Sequence, residues 1–135
     1  MVAVDTGSLV RVTLNEPGAG AIRKFLGQRR EQFLMPWSVL TETTSLLVLR
    51  ADHRIMSCFL QALPGSGLIL TQLEPEDLTR AAELVREYLD SGLDFVDATI
   101  VAFAERRNIR TILTIDRRCF GMIRPKHCEA FEIYP

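Results

Sequence analysis

Short hydrophobic runs alternate along this chain with longer segments in which hydrophobic residues recur at helical spacing. The short runs predict buried strands at residues 2–4, 68–73, 111–115 and 131–133. A brief apolar run at 33–35 ends at Pro36. The longer segments predict helices at residues 21–30, 39–50, 53–63, 75–88 and 95–107. This alternation favours an α/β fold in which helices flank a mainly parallel sheet.

Several predicted helices begin at residues that commonly cap helices. Ser38 and Asp52 directly precede two of them and predict N-caps. Pro75 in the first turn of another is followed by Glu76 and Asp77, and acids suit the positive end of a helix. No repeat, low-complexity tract or linker divides the sequence. We therefore expect one domain over residues 1–135.

Composition narrows the class of protein. The hydrophobic fraction of 47% and the charged fraction of 24% are those of a globular chain, which argues against disorder. No apolar stretch approaches the roughly 18 residues that span a bilayer, so no membrane association is expected. Three cysteines without a CxxC pair indicate a reducing compartment, and we expect a cytoplasmic protein.

The net charge of −1 does not support a uniformly basic nucleic-acid-binding surface. All the basic residues except Lys24 and Lys126 are arginines, whose planar side chains suit bidentate contacts with phosphate. A genome that favours arginine explains the same count equally well. Charge alone therefore leaves nucleic-acid binding open.

Asp97 is the most informative single residue. It is the one ionisable residue in the predicted helical segment FVDATIVAFA. A carboxylate in apolar surroundings costs several kcal/mol unless it finds a cation or hydrogen-bond donors, so Asp97 should have a partner. Asp94 lies three residues earlier on the same face. Asp94 is either the cap of this helix or a second acid of the same site.

Three further acids occupy positions that become informative only as a set. Asp5 and Asp116 each follow a predicted strand, and Glu42 lies inside a predicted helix. An Asp after a strand often starts a turn, and a helical Glu usually faces solvent. In a parallel sheet, however, the carboxyl ends of strands share one edge, where ligands bind. Carboxylates gathered there would repel one another unless a cation neutralised them.

The chemistry of these side chains indicates which cation they would take. Oxygen ligands suit Mg²⁺ or Mn²⁺, whereas zinc normally recruits His or Cys, and His53 and His127 have no suitable spacing. No GxSxG, GK[ST] or GxGxxG motif is present. Phosphoryl transfer through an aspartyl intermediate is a rival, but Gly7 excludes an Asp-x-Asp motif after the first strand. The loop after Leu113 offers Thr114 but no lysine.

Four segments resemble the PIN-domain ribonuclease family, and in particular the VapC-type toxins of prokaryotic toxin–antitoxin pairs. They are VAVDTGS with Asp5, SVLTETTSLL with Glu42, LDFVDATIVAFAERRNI with Asp97, and TILTIDRRCF with Asp116 and Phe120. Their order and spacing agree with the family over nearly the whole chain. One departure is Gly7, where relatives more often have Ser or Asn.

The resemblance implies a three-layer PIN-like sandwich around a five-stranded, mainly parallel sheet. It implies that Mg²⁺, or Mn²⁺, is held chiefly by Asp5 and Asp97, with support from Glu42 and Asp116. Asp94 matches a subgroup with two acids in this turn and is an auxiliary catalytic candidate. The resemblance also implies that hydroxyls at positions 6 and 114 orient the acids or water.

The same resemblance implies a Mg²⁺-dependent endoribonuclease in which metal-activated water cleaves RNA and leaves a 5′-phosphate and a 3′-hydroxyl. It further implies a homodimer and a cognate antitoxin protein. The alternative is a degenerate PIN domain that only binds RNA or protein. Arg117 and Arg118, beside Asp116, either hold the phosphodiester or are solvated loop charges.

Overall fold

Five strands form one fully parallel sheet in the computed structural model, which describes all residues 1–135. They are β1 (Val2–Val4), β2 (Phe33–Pro36), β3 (Leu68–Thr71), β4 (Thr111–Leu113) and β5 (Glu132–Tyr134). Their order across the sheet is β3-β2-β1-β4-β5. Val2 pairs with Phe33 on one side and Thr111 on the other, so β1 is the central strand. The predicted α/β fold with a parallel sheet is confirmed.

Seven α-helices connect and flank the strands. They are α1 (Thr6–Thr13), α2 (Ala19–Gln28), α3 (Trp37–Arg50), α4 (His53–Ala62), α5 (Pro75–Glu87), α6 (Phe95–Arg106) and α7 (Arg117–Met122). Two short 3₁₀ turns lie at Leu63–Gly65 and Leu89–Ser91. Five of the seven helices overlap the helices predicted from sequence periodicity. No helix has the length and apolar character needed to cross a bilayer.

Two of the predicted helix starts are confirmed, and one is wrong. The Asp52 carboxylate accepts hydrogen bonds from the backbone N–H groups of Arg54 and Ile55, at 2.8 and 3.0 Å. At the start of α5, Asp77 accepts one from the backbone N–H of Glu74. Ser38 does not cap α3, because the helix begins at Trp37, two residues before the predicted start, and the Ser38 hydroxyl bonds to Thr99 on α6 instead.

Helices α1 and α7 were not predicted, because tertiary contacts and caps outweigh weak local signals. Helix α1 has the sequence TGSLVRVT, whose glycine and β-branched residues favour helix poorly. It forms because Asp5 caps it and because Ser8 and Leu9 pack into the interior. Helix α7 has only six residues and begins at the Asp116 cap.

Helix α6 is the central helix of the hydrophobic core. Every residue from 98 to 104 is buried, and α6 packs against α5, α3 and the two strands β1 and β2. Burial on nearly all sides explains its almost uninterrupted apolar sequence. Only the two ends of α6 reach solvent: the first turn, with Asp94 and Asp97, and the last residues, Glu105 and Arg106.

Candidate active site

Two of the predicted acids lie at the carboxyl ends of adjacent strands. Asp5 directly follows the central strand β1, and Asp116 follows its neighbour β4 by three residues. Asp5 is only 6% exposed, and its Oδ1 accepts a hydrogen bond from the backbone N–H of Thr6. Asp116 is exposed and caps α7 by accepting from the backbone N–H of Cys119 at 2.8 Å. The parallel topology therefore brings both carboxylates to one edge of the sheet.

Helices α3 and α6 bring the other three acids to the same edge. Asp94 caps α6 by accepting a hydrogen bond from the backbone N–H of Asp97 at 2.9 Å. Glu42 on α3 is half-buried, and its electrostatic neighbours are Asp94 and Asp5. The two helices are joined by the buried Ser38–Thr99 hydrogen bond of 2.8 Å. We refer to these five acids, Asp5, Glu42, Asp94, Asp97 and Asp116, as the acidic cluster.

A buried threonine connects two members of the cluster. The Thr114 hydroxyl donates to Oδ2 of Asp5 at 2.7 Å and accepts from the backbone N–H of Asp116 at 2.9 Å. Thr114 is 1% exposed, so water does not compete for these bonds. This hydroxyl holds the β1 and β4 ends in a fixed relation.

The acidic cluster carries strong internal repulsion. Burial, followed by repulsion from Asp94 and Asp5, raises the pKa of Asp97 from its usual 3.8 to about 7. Burial also raises the pKa of Asp5, although the hydroxyl of Thr114 and the N–H of Thr6 partly offset it. The pKa of Glu42 is raised by burial and then by Asp94 and Asp5. A positive charge placed here would therefore be strongly stabilised.

The chain itself supplies no such charge. None of the five acids takes part in a salt bridge, although seven salt bridges form elsewhere in the structure. The side-chain donor to Asp97 is the thiol of Cys119, whose Sγ lies 3.5 Å from Oδ2. A thiol is a weak donor and does not neutralise the carboxylate. We expected from the sequence that Asp97 would have a cation or hydrogen-bond donors. Its one side-chain donor within the chain is the weak thiol of Cys119, and it has no cation.

The cluster fits a hard divalent cation by the chemistry of its donors. All five charged groups are carboxylates, and oxygen is the ligand that Mg²⁺ and Mn²⁺ prefer. The buried Thr6 hydroxyl lies beside Glu42, and its hydrogen bonding to that carboxylate partly offsets the rise in the pKa of Glu42. No three His, Cys, Asp or Glu side chains are close enough together to hold an ion. The carboxylates therefore fit such an ion by their chemistry, while their spacing in this structure is wider than direct coordination by three of them requires.

A groove opens beside the cluster, between α7 and the 3₁₀ turn that precedes α6. Its volume is about 500 Å³. The lining residues are Asp90, Ser91, Gly92, Asp97, Asp116, Arg118, Cys119 and Met122. Gly92 adopts a φ of +73°, a left-handed conformation that suits glycine and turns the chain from the wall of the groove into α6. Arg118 is the only cation among the lining residues.

Arg117 and Arg118, which could not be distinguished from the sequence, have different contacts in the structure. Arg117 donates a hydrogen bond to the backbone carbonyl of Pro135 and does not line the groove. Arg118 lines the groove and makes no hydrogen bond or salt bridge. The two neighbouring side chains therefore have different surroundings.

The departure at Gly7 has a steric reason. A Cβ atom at this position would lie 2.8 Å from Cγ1 and 2.9 Å from Cδ1 of Ile115. A larger residue at position 7 would therefore require the Ile115 side chain to move. Ile115 is 39% exposed, so its side chain has room to do so.

Cys119 is the neighbour of the cluster that the sequence did not indicate. Its backbone N–H contacts Asp116 and its thiol contacts Asp97, so one residue links two acids from different elements. Burial and the nearby Asp97 raise the pKa of this thiol well above its usual value. The position of Cys119, three residues after a capping aspartate, was the available signal.

Comparison with known proteins gives one family match and one close full-length relative. The family model described as the PIN domain matches residues 2–124. A ribonuclease of Mycobacterium tuberculosis, VapC26, is 28% identical over 133 residues, which are 98% of this chain and 98% of that protein. The similarity therefore includes every segment that carries the acidic cluster.

Solved structures agree on the fold. The Mycobacterium tuberculosis toxin VapC20, described as cleaving the sarcin–ricin loop, superposes with a TM-score of 0.80 at 18% identity, covering 88% of this chain and 92% of the toxin. A toxin–antitoxin complex from Klebsiella pneumoniae superposes with a TM-score of 0.68 at 17% identity, covering 91% of this chain and 92% of the other. At these identities the likeness shows the fold alone.

Proposed function

The chain belongs to the PIN domain family, and from that premise we propose that it is a divalent-cation-dependent endoribonuclease, the toxin of a VapBC-type toxin–antitoxin pair. The observation that carries the proposal is the acidic cluster, five carboxylates at one sheet edge without a cation from the chain. Holding such charges close together without a counter-ion costs folding free energy, so a site that keeps them indicates a bound cation. The full-length relative is itself named a ribonuclease.

In this proposal Asp5 and Asp97 hold the cation, with support from Glu42 and Asp116 and with Asp94 as an auxiliary acid. Mg²⁺ is the expected ion and Mn²⁺ a substitute. When bound, the cation supplies Lewis-acid chemistry, drawing charge from phosphate oxygens and making water more acidic. The Thr114 hydroxyl fixes the orientation of Asp5 through its 2.7 Å hydrogen bond.

The reaction that this arrangement serves is hydrolysis of an RNA phosphodiester. A water molecule loses a proton as its oxygen forms a bond to phosphorus, the bond from phosphorus to the 3′ oxygen breaks, and the 3′ oxygen takes up a proton, so one water is consumed. The products are a 5′-phosphate and a 3′-hydroxyl. An exposed loop of a structured RNA is the proposed substrate, because single-stranded loops present a cleavable backbone to a groove. The sarcin–ricin loop named for the VapC20 toxin is an RNA of this kind.

We also propose three features of the protein's biological setting. A cognate antitoxin would cover the acidic cluster with a basic side chain, and a structural relative is a toxin–antitoxin complex. The toxin would act as a homodimer. It would work in the cytoplasm, where its three free cysteines stay reduced.

The direct test is cleavage of RNA by the purified protein with Mg²⁺ or Mn²⁺. We expect cleavage that EDTA stops, and a roughly thousandfold lower rate for Asp97→Asn, because loss of a cation ligand removes several kcal/mol of charge stabilisation. Glu129→Gln is the matched control, since it removes one exposed carboxylate outside the cluster. Cleavage by Asp97→Asn at the parent rate would contradict the site assignment.

A second measurement does not depend on activity. Mn²⁺ at about 100 times its dissociation constant should stabilise the folded protein by roughly 2.7 kcal/mol, seen as a rise in melting temperature. The same addition should have little effect on Asp97→Asn. A wild-type protein that binds Mn²⁺ and RNA but never cleaves would instead support the degenerate, binding-only PIN domain.

The RNA target can be found in cells. Sequencing RNA ends after induced expression should reveal one dominant cut site whose downstream fragment carries a 5′-phosphate. Co-expression with the product of a short reading frame directly upstream should suppress these ends if that product is the antitoxin. Ends that accumulate equally in cells expressing Asp97→Asn would contradict cleavage by this protein.

A further inference from the structure

The groove beside the acidic cluster combines one arginine with three carboxylates. Asp90, Asp97 and Asp116 line it together with Arg118. An arginine so close to acids ordinarily pairs with one of them. Arg118 nevertheless lies beyond 4.0 Å from every carboxylate oxygen and donates no hydrogen bond. Its five N–H donors are therefore unused by the chain.

The other arginines of this region are all engaged. Arg117 donates to the Pro135 carbonyl. Arg124 donates to the carbonyl of Gly121 at 2.9 Å, at the end of α7. Arg118, on the same short helix, is the exception and faces the groove. Of the two arginines on α7, Arg118 is therefore the one that lines the groove and has no hydrogen-bond partner in the chain.

We propose that Arg118 binds a phosphate of the RNA next to the scissile bond, and that the groove holds the nucleotide attached to that phosphate. This inference rests on the proposed ribonuclease function. A planar guanidinium with free donors matches two oxygens of one phosphate. It also offsets the repulsion that Asp90, Asp97 and Asp116 exert on a polyanion entering the groove.

The shape of the groove supports a nucleotide as its occupant. Its volume of about 500 Å³ lies in the range of small-ligand sites. Met122 is 38% exposed on its wall and offers a polarisable apolar surface for a base. Gly92 presents no side chain, and the Ser91 hydroxyl is a polar neighbour. Phosphate would thus meet Arg118 while the base lies towards Met122.

The test compares two adjacent arginines in a protein that does not cleave. In the Asp97→Asn background without added metal, binding of a short fluorescein-labelled single-stranded RNA is measured by anisotropy at several salt concentrations. Adding Arg118→Ala should weaken binding roughly tenfold to a hundredfold, as for loss of a charged hydrogen-bonding contact. The slope of log affinity against log salt should fall by about 0.7, the value for one phosphate of a single strand.

Arg117→Ala is the matched control, with the same loss of charge one residue away. It should change RNA affinity less than about twofold, because Arg117 points to the C-terminal carbonyl instead of the groove. Arg118→Lys should fall between the parent and Arg118→Ala, since lysine keeps the charge but loses the planar fork. Equal losses for Arg117→Ala and Arg118→Ala would overturn the proposal.

Kinetics in the otherwise wild-type chain separate this inference from the proposed function. Arg118→Ala should raise KM with little change in kcat, as expected for a contact made equally in the bound substrate and in the transition state. Its Mn²⁺ affinity should not fall, which shows that the acidic cluster is intact. If the wild type cleaves RNA and Arg118→Ala cleaves with the same KM, only the Arg118 inference fails. If the wild type neither binds nor cleaves RNA, both proposals fail.

Discussion

Two groups of acids in this molecule, one at each end of α6, have opposite surroundings. At the N-terminal end, the acidic cluster has no cation within salt-bridge distance. Near the C-terminal end, the carboxylates of the α5–α6 seam are matched by basic residues: Asp77 with Arg106, Glu105 with Arg80, and Glu83 with Arg80 and Lys126. The same helix thus carries one neutralised and one unneutralised region.

The pKa values of two acids of α6, Asp97 and Glu105, move in opposite directions for this reason. Burial alone would raise the pKa of Glu105, but hydrogen bonds from Arg80 and from the Lys126 backbone lower it overall. At Asp97 burial meets only further acids and a thiol, and the pKa rises to about 7. Burial by itself therefore does not distinguish a structural acid from a functional one. The distinguishing property is whether the chain provides the counter-charge.

The largest effects are expected when an aspartate is changed to asparagine, either in the acidic cluster or in the α5–α6 seam. In the acidic cluster the change is Asp5→Asn. This change should reduce RNA cleavage roughly thousandfold, because it removes a proposed cation ligand worth several kcal/mol. The free energy of unfolding without metal should stay unchanged or rise, because a buried carboxylate with no cation is made neutral. Cleavage rate and urea unfolding are the two measurements. A large loss of stability would show that Asp5 is structural.

Asp77→Asn should produce the opposite pattern. Asp77 is 1% exposed and receives two hydrogen bonds of 2.8 Å from Arg106. Removing its charge leaves a partly buried guanidinium unpaired and should lower the free energy of unfolding by about 3 kcal/mol. Under conditions where the variant is folded, its kcat should match the parent. A lower kcat in the folded variant, without a loss of stability, would contradict the assignment of Asp77 to stability and not to activity.

The strand ends that carry Asp5 and Asp116 could be predicted from the sequence, because buried parallel strands read as short apolar runs and the acids follow directly. Asp97 could be recognised because an isolated carboxylate in an apolar helix is unfavourable unless it has a partner. The role of Asp77 could not be recognised from the sequence. In the sequence it is an ordinary acid in the first turn of a helix, and its burial against Arg106 depends on how α5 packs on α6.

Other parts of the site depend on contacts between residues far apart in sequence. Ser38 has the local pattern of a helix cap, but its hydroxyl bonds to a residue 61 positions away. Arg117 and Arg118 are adjacent, and only the position of Pro135 and of the groove separates their surroundings. Helix α7, which orients both, is too short to leave a periodic signal. Contacts between residues this far apart in the chain cannot be predicted from the local sequence around either residue.

Thr114→Val tests how the unneutralised region keeps its geometry. Valine has nearly the same shape but cannot donate to Asp5 or accept from the backbone of Asp116. Loss of such an orienting bond should weaken Mn²⁺ binding about tenfold, measured by titration calorimetry. Thr43→Val is the matched control, because Thr43 is equally buried but its hydroxyl has no hydrogen-bond partner. Equal affinities in the two variants would remove Thr114 from the site.

The smallest expected effect concerns the neutralised region at low pH. Because the folded-state pKa of Glu105 lies below its usual 4.5, its ion pair contributes stability above about pH 4.5 and loses it as the pH falls through the lowered value. Glu105→Gln should therefore lower the free energy of unfolding by about 1 kcal/mol at neutral pH, less than Asp77→Asn because Arg80 keeps Glu83 and Glu87 as partners. The difference from the wild type should vanish in acid. Glu129→Gln, which removes an exposed carboxylate without a salt bridge, should show no comparable convergence. A Glu105→Gln deficit that persists unchanged in acid would show that packing, and not neutralisation by Arg80, accounts for the stability of the seam.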